Sequence, residues 1–361
     1  MEPMDQFVGT QPLRQSHAFD VGALEQHLRR ELPGFAGPLA VEQFKGGQSN
    51  PTYKLITPHA TYAMRTKPGP AAKLLPSAHA IEREFRVMRA LADTEVPVAR
   101  MHLLCDDESV IGRAFYVMEF VEGRVLWEQA LPGFTREGRA AIYDEMNRVI
   151  AALHRVEPAR VGLADYGKPG NYFARQIARW SKQYQASQMQ AIPAMDRLID
   201  WLPTHLPPSA LDESQTTIVH GDFRLDNLIF HAGEPRIVAV LDWELSTLGH
   251  PLADFSYHCM AWHIEPGVFR GIGGLDHHAL GIPTEREYVR RYCERTGRTD
   301  PDAVMADWNF YQAYNGFRLA AIMQGIAKRA ADGTAASAQA RASGDATAAL
   351  ARMAWSFVQL S

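Results

Sequence analysis

The sequence has little cysteine, no long hydrophobic run and no signal-peptide pattern. Its three cysteines, Cys105, Cys259 and Cys293, are too few and too scattered for a disulfide framework or a cysteine-rich zinc site. No apolar run reaches the ~20 residues that a membrane-spanning helix needs. The first residues lack the basic and apolar segments of a signal peptide. We therefore expect a soluble, cytoplasmic protein that keeps its thiols reduced and does not bind membranes.

An excess of basic residues is also missing. The chain has 37 Lys and Arg against 41 Asp and Glu, a net charge of −4, so no basic field favours nucleic acid or an anionic membrane. At 46% hydrophobic and 22% charged residues the composition is that of an ordinary globular protein. A chain of 361 residues is long enough for two lobes and a sizeable core.

Two polar clusters in the middle of the chain are each preceded by a short apolar run. The first cluster contains His220, Asp222 and Asn227, and the second contains Asp242 and Glu244. Apolar runs of this length indicate buried strands, so the polar residues are expected on loops at strand ends. The runs are 218–219, 228–230 and 237–241, with a turn at 233–235 between the last two.

This order of polar residues suits phosphoryl transfer. The reaction needs a carboxylate that orients a hydroxyl nucleophile, and oxygen ligands that hold Mg²⁺ on the phosphates. Asp222 matches the first requirement, and Asn227 and Asp242 match the second. The alternative is that these residues only cap turns, as Asp and Asn often do. The whole pattern between two apolar runs favours the chemical interpretation.

The two motifs resemble those of a known family. His220-Gly-Asp-Phe-Arg-Leu-Asp-Asn227 and Leu241-Asp-Trp-Glu244 are similar to the catalytic and metal-binding loops of the aminoglycoside phosphotransferase family of kinase-like small-molecule kinases. The resemblance implies the α+β fold of the protein kinases, with Asp222 as catalytic base and Asn227 and Asp242 as Mg²⁺ ligands. It also implies that Asp254 ties the catalytic loop to the following helix.

A glycine-containing segment lies between the first two expected strands of the sheet. Gly46, Gly47, Gln48, Ser49 and Asn50 would let backbone N–H groups approach phosphate oxygens closely. A hairpin turn uses the same residue types, so the segment alone does not decide between the two. Together with the downstream loops, the phosphate-covering role is favoured, and ATP is the expected nucleotide.

The resemblance also assigns a cation to the end of the third strand. Arg65 takes the place of the family's strand lysine, a departure from its pattern because Arg is bulkier and not equivalent to Lys. Lys67 is the second candidate. Glu84, on the next helix, matches the acidic residue that pairs with this cation. Solvated surface residues are the alternative for all three positions.

A hinge joins the two expected lobes. Backbone groups of Glu119, Phe120 and Val121 are expected to meet the adenine edge. The expected division is an N-terminal lobe with the nucleotide-binding sheet and Gly loop at 1–118, a hinge at 119–123, and a helical lobe with the catalytic loops and substrate cleft at 124–361.

Periodicity gives the remaining elements. Strands are predicted at 39–44, 52–56, 61–65, 97–104 and 114–120, and helices at 20–32, 78–92, 135–154, 171–190, 196–206, 251–263 and 307–329. Thr284 and Glu287 predict a capping box at the start of a further helix. We expect a loose arm at 1–18, which lacks clear periodicity. A stretch rich in Ala, Ser and Gly at 330–347 predicts a mobile connector before a last helix that ends near Val358.

The sequence also favours one class of acceptor. Lys73-Leu-Leu-Pro-Ser-Ala-His79 resembles a subgroup of the family related to acyl-CoA dehydrogenases, which implies a functional link to such an enzyme. Phosphotransfer from ATP to the hydroxyl of a hydroxyacyl compound or hydroxyacyl-CoA is therefore predicted. Arginines interleaved with aromatic residues favour a neutral or anionic acceptor, because Arg can bind phosphate or carboxylate through paired hydrogen bonds. These arginines are at positions 270, 286, 290, 291, 295, 298 and 318.

Three other functions stay open. One is a catalytically weak nucleotide-binding module, because Arg65 replaces the usual lysine. Another is an aminoglycoside kinase. The third is a metal-assisted hydrolase that uses Asp222, Asp242 and a histidine, although it would leave the glycine segment unexplained.

Overall fold

The computed structural model describes residues 9–45, 50–68, 80–332 and 338–360. Gly46, Gly47, Gln48 and Ser49 of the glycine segment and the connector at 73–79 lie outside the described residues. The chain forms two compact units. The first is Met1–Val125 with Asn227–Leu245, and the second is Leu126–Asp226 with Ser246–Ser361.

The described elements are numbered in chain order. The strands are β1 (Thr10–Pro12), β2 (Ala40–Phe44), β3 (Thr52–Ile56), β4 (Thr61–Thr66), β5 (Met101–Cys105), β6 (Phe115–Glu119), β7 (Arg124–Val125), β8 (Thr217–Val219), β9 (Leu228–Phe230), β10 (Ile237–Val240) and β11 (Thr247–Gly249). The helices are α1 (Val21–Glu31), α2 (Ile81–Leu91), α3 (Arg136–Arg155), α4 (Tyr172–Ser187), α5 (Pro193–Trp201), α6 (Pro251–Cys259), α7 (His277–Leu280), α8 (Glu285–Thr296), α9 (Pro301–Ala306), α10 (Trp308–Ala331) and α11 (Ala338–Gln359).

An antiparallel sheet of six strands forms most of the first unit. Its strand order is β1-β2-β3-β4-β6-β5. Alternating side chains of β3 and β4 enter a core that α1 closes with Leu24 and Leu28. The Asp20 carboxylate accepts a hydrogen bond from Ala23 N and starts α1 where the sequence predicts. The sheet holds Arg65 on β4, between β3 and β6.

A hairpin of β9 and β10, extended by β7, belongs to the same unit. Val240 pairs with Leu228, and Leu241 N donates to Asn227 O at 2.8 Å. Asn227 and Asp242 therefore lie at the same end of this hairpin. The sequence division assigned 227–245 to the C-terminal lobe, whereas the compact units group it with the sheet. The lobe limits themselves stay a prediction.

Helices form most of the second unit. The 24-residue helix α10 is buried along most of its length and packs against α4, α6 and α11. The short pair of β8 and β11 precedes and follows the hairpin in sequence and carries the chain into His220 and into α6. In the described ranges, no helix has the length and hydropathy needed to cross a membrane.

Most predicted elements are confirmed to within a few residues, including the capping box of Thr284 and Glu287 on α8. The connector at 330–347 is wrong in its second half, because α11 begins at Ala338. Alanine-rich sequence forms helix readily once a neighbouring helix covers one face. Part of the loose arm is also wrong, since β1 pairs with β2 through Thr10 and Phe44.

Candidate active site

Arg65 joins three carboxylates in the first unit. Its Nε lies 3.0 Å from Glu84 Oε2, and its Nη2 lies 2.9 Å from Asp242 Oδ1 and 3.5 Å from Glu244 Oε2. Burial disfavours the guanidinium charge, but Glu84, Asp242 and Glu244 together raise the pKa of Arg65 above its ordinary value. Lys67 instead pairs with Glu82. The structure thus brings Arg65, and not Lys67, to Glu84.

Glu84 is held from several sides. Its side chain is 1% exposed, so the alternative of a solvated helix face is wrong. Asn50 Nδ2 donates to Oε1 at 2.9 Å, and the Tyr116 hydroxyl donates to Oε2 at 3.0 Å. Burial raises the pKa of Glu84, while Arg65 acts in the opposite direction. The Arg65–Glu84 pair fixes α2 to β4, because a buried carboxylate needs a cation or hydrogen-bond donors as partners.

Asn227 and Asp242, which both have side-chain oxygen atoms, lie at the same end of the hairpin. Asp242 has a φ of 63°, in the left-handed region that Asp and Asn adopt more readily than most residues. A carboxylate and an amide are hard oxygen donors, which suits Mg²⁺. Among the residues that the structure describes, no group of three His, Cys, Asp or Glu side chains could hold a metal ion. Mg²⁺ bound by one or two side chains plus phosphate oxygens does not need one.

The predicted hinge residues follow β6. Glu119 ends the strand and pairs with Tyr62 of β4. The Phe120 ring stacks on Phe44 with centroids 6.3 Å apart, and Lys54 Nζ lies 4.7 Å from the Phe120 centroid. These contacts fix the Phe120 side chain against the sheet.

Asp222 lies in the second unit and is hydrogen-bonded by two residues. The Tyr257 hydroxyl donates to Oδ1 at 2.6 Å. Arg224 spans both oxygens, with Nε 2.9 Å from Oδ1 and Nη2 2.9 Å from Oδ2. Burial, and then the charge of Asp222, raise the pKa of Tyr257, so its hydroxyl keeps its proton. The carboxylate is thus oriented by a neutral donor and a cation.

Asp254 ties the catalytic loop to α6, as the resemblance implies. Its Oδ2 accepts from His220 N at 2.7 Å, and its Oδ1 accepts from Gly221 N at 2.8 Å. His154 Nε2 lies 3.2 Å from Oδ2. Burial acts to raise the pKa of Asp254, but the hydrogen bond to His154 and the charges nearby hold it below its ordinary value.

Two contacts to this loop come from residues that sequence reasoning did not assign to it. Arg318 of α10 donates to Gly221 O at 2.5 Å, and its guanidinium carbon lies 4.8 Å from the centroid of the Tyr257 ring. Tyr257 is the donor to Asp222. The sequence signal for Arg318 was an arginine inside an apolar helical pattern. A charge buried in this way needs a partner.

Most other arginines of the predicted cationic wall have structural partners. Arg291 and Arg295 pair with Asp144, Arg286 pairs with Asp302, and Arg298 donates to Gln215. Arg270 pairs with Asp226, which is close to Asp222 in sequence. Of the seven arginines, Arg270 and Arg318 therefore contact the catalytic loop.

The sequence matches the profile of the phosphotransferase enzyme family over residues 40–306, most of the chain. The chain belongs to this family. The resemblance to aminoglycoside phosphotransferases is confirmed. The resemblance to the subgroup related to acyl-CoA dehydrogenase proteins is also confirmed, by a mouse protein named acyl-CoA dehydrogenase family member 10. The two are 47% identical over 351 residues, which is 96% of this chain and 32% of that protein. The chain thus spans about a third of this relative's length.

Two solved structures share the fold of this chain. A candidate aminoglycoside phosphotransferase from Ralstonia eutropha JMP134 is 61% identical, with a TM-score of 0.86 over 95% of this chain and 99% of that chain. Choline kinase from Cryptosporidium parvum has a TM-score of 0.65 at 11% identity, over 94% of this chain and 97% of that chain, which is a likeness of fold alone. The predicted α+β, protein-kinase-like fold is confirmed.

Proposed function

We propose that this protein is an ATP-dependent phosphotransferase that moves the γ-phosphoryl group to a hydroxyl of a small metabolite. The observation that carries the proposal is the contact of Arg65 with the buried Glu84 and with Asp242. Phosphoryl transfer in kinase-like proteins needs a strand cation fixed by a helix carboxylate, close to a metal-binding aspartate. A buried ion pair contributes little net stability, so stability alone does not account for this arrangement.

The nucleotide is assigned to the first unit. Asn227 and Asp242 would hold Mg²⁺, which neutralises the charge on the phosphates when bound. Arg65 would contact the phosphates, and the backbone of 119–121 would meet the adenine edge. Phosphate-covering N–H groups are assigned to Gly46, Gly47, Gln48, Ser49 and Asn50.

Asp222 is the proposed base. It accepts the proton of the acceptor hydroxyl as the acceptor oxygen bonds to the γ-phosphorus, and the bond from that phosphorus to the β–γ bridging oxygen breaks to release ADP. Tyr257 holds Oδ1 in place during this step. Positioning of this kind supplies much of the catalysis in phosphoryl transfer.

The proposed acceptor is a hydroxyacyl compound, with hydroxyacyl-CoA preferred. Relatives named as acyl-CoA dehydrogenase family members support a link to acyl-CoA metabolism. Aminoglycosides are polycations that need several available carboxylates. Asp144 and Asp226 of the second unit are already paired with arginines. A neutral or anionic acceptor suits this charge distribution better.

A screen of hydroxylated metabolites with ATP and Mg²⁺ tests the proposal. Formation of ADP and of a phosphorylated product, both dependent on acceptor, is the expected result. Nucleotide binding without transfer to any acceptor would instead indicate a nucleotide-binding module. This is the second candidate function, because Arg65 stands where the family has a lysine. Phosphate release without ATP would indicate a hydrolase.

A further inference from the structure

Two arginines of the second unit share one buried carboxylate. Arg270 Nη1 donates to Asp226 Oδ2, and Arg224 Nη2 lies 3.6 Å from the same oxygen. Asp226 has a side chain that is 5% exposed, whereas Arg224 and Arg270 are 21% and 29% exposed. The carboxylate therefore anchors two guanidinium groups that remain accessible to solvent.

Arg270 has hydrogen-bonding capacity left over. A guanidinium carries five N–H donors, and the bond to Asp226 uses one terminal nitrogen. Within the ranges that the structure describes, no other hydrogen bond of the Arg270 guanidinium is found. Its remaining donors can receive a second anion without loss of the anchor.

Aromatic rings flank this pair of arginines. The Phe269 centroid lies 5.8 Å from the guanidinium carbons of both Arg224 and Arg270, and the Trp127 centroid lies 5.7 Å from that of Arg270. Cation–π contacts at this distance limit the directions in which a guanidinium can point. They also provide an apolar surface beside the charge, as an acyl chain or a pantetheine arm requires.

Arg224 connects this pair to the proposed base, because it also spans both oxygens of Asp222. Arg318 contacts the neighbouring carbonyl of Gly221, and Asp254 accepts from the N–H of the same glycine, so three guanidinium groups and three carboxylates lie at this loop. Binding of an anion here therefore depends on the spare donors of Arg270.

We propose that Arg270 and Arg224 form the anion-recognition element of the acceptor site, which takes a phosphate or a carboxylate of the acceptor; this rests on the proposed function. The anion binds the spare donors of Arg270 and draws Arg224 from Asp222, which leaves the carboxylate to the acceptor hydroxyl. In such an acceptor, the anionic group is separated from the hydroxyl that is phosphorylated. Two sources have this chemistry: the phosphates of a CoA thioester and the carboxylate of a free hydroxy acid.

The test compares acceptors that differ in charge. The acceptors are hydroxybutyryl-CoA, free hydroxybutyrate and the neutral N-acetylcysteamine thioester, each with the hydroxyl at carbon 2, 3 or 4. We expect the ratio of kcat/KM for the preferred anionic acceptor to kcat/KM for the neutral thioester to fall by about tenfold or more in Arg270→Ala. Arg270→Lys should lose less, because it keeps the charge and loses the fork. Arg286→Ala, which removes an exposed arginine paired with Asp302, should leave the ratio unchanged.

Calorimetric binding of CoA and of hydroxybutyrate, measured without ATP, separates this proposal from the proposed function. Weaker binding in Arg270→Ala than in wild type supports it, and the better-bound anion identifies the source. Three results would overturn the proposal. They are an equal loss of kcat/KM on charged and neutral acceptors in Arg270→Ala, unchanged binding of both anions by that variant, and no binding of either anion by wild type. If Arg270→Ala does not fold, Arg270→Lys and Arg270→Gln carry the same comparison. Absence of transfer to every acceptor would count against the proposed function instead.

Discussion

Asp222 is the residue on which the proposed chemistry depends most. We expect Asp222→Asn to lower turnover by about 10²–10⁴-fold, because a positioned acid–base group typically contributes that much. ATP affinity should stay near that of wild type, since the nucleotide is assigned to other residues. Steady-state kinetics and calorimetry measure the two quantities, with Asp302→Asn at the exposed pair with Arg286 as control. Turnover within a factor of about two of wild type would remove Asp222 from the role of base.

Asp242 combines a metal-binding carboxylate with an unusual backbone conformation. Its φ of 63° is one that Asn tolerates well. Asp242→Asn should therefore fold and lose most of the Mg²⁺ dependence of nucleotide binding, because the negative charge is gone. Asn227→Ala should have a smaller effect, since Asn227 supplies coordination without charge. The measurement is nucleotide affinity with and without Mg²⁺. Equal affinity in both conditions for wild type would show that the metal assignment is wrong.

The residues predicted from sequence are those that lie in contiguous motifs. Asp222, Asn227 and Asp242 have recognisable neighbours within a few positions, so their types and order indicated their chemistry. Tyr257 and Arg318 could not be found in this way, because they contact the catalytic loop from 35 and 97 positions away. Such contacts depend on the packing of α6 and α10, which periodicity does not specify. The burial of Glu84 likewise became apparent only from the structure.

At the scale of elements, the packing of α10 on α11 depends on a glycine. A β-carbon at Gly316 would lie 2.7 Å from Ala354 Cβ, whereas one at Gly325 would meet the flexible end of Gln183 at 3.3 Å. Gly325→Ala should stabilise the protein by about 0.5–1 kcal/mol through helix propensity. Gly316→Ala should be less stable than Gly325→Ala by about 1–3 kcal/mol, because the two helices are forced apart.

Chemical denaturation of the two variants tests this contrast, since the same substitution is made twice in one helix. Equal free energies of unfolding would contradict the close packing of α10 on α11. Sequence alone does not distinguish the two glycines, as both lie in an apolar helical pattern. It also missed β1 and α9, because an element of three to six residues has too short a periodic signal.

At the scale of the whole molecule, buried histidines make stability depend on pH. Burial lowers the pKa of His250 and of His258 to about 4, and lowers that of His154. Below pH ~6.5 the unfolded chain takes up a proton at each histidine while the folded chain does not. The free energy of unfolding should therefore fall as the pH is lowered from 6.5 toward 4, by up to ~1.4 kcal/mol per pH unit for each of His250 and His258.

Urea denaturation at several pH values checks this slope. His258→Gln should make the dependence shallower, because one proton fewer is taken up on unfolding. A free energy of unfolding that is constant between pH 6.5 and 5 would contradict neutral, buried histidines.

The central claim is phosphotransfer from ATP to a hydroxylated acyl compound. The most direct measurement is mass spectrometry of products after incubation with ATP and Mg²⁺, with kanamycin-like aminoglycosides and hydroxyacyl thioesters assayed side by side. We expect a phosphorylated acyl product with wild type and a strongly reduced yield with Asp222→Asn. Efficient phosphorylation of the aminoglycosides, with no transfer to the acyl compounds, would contradict it.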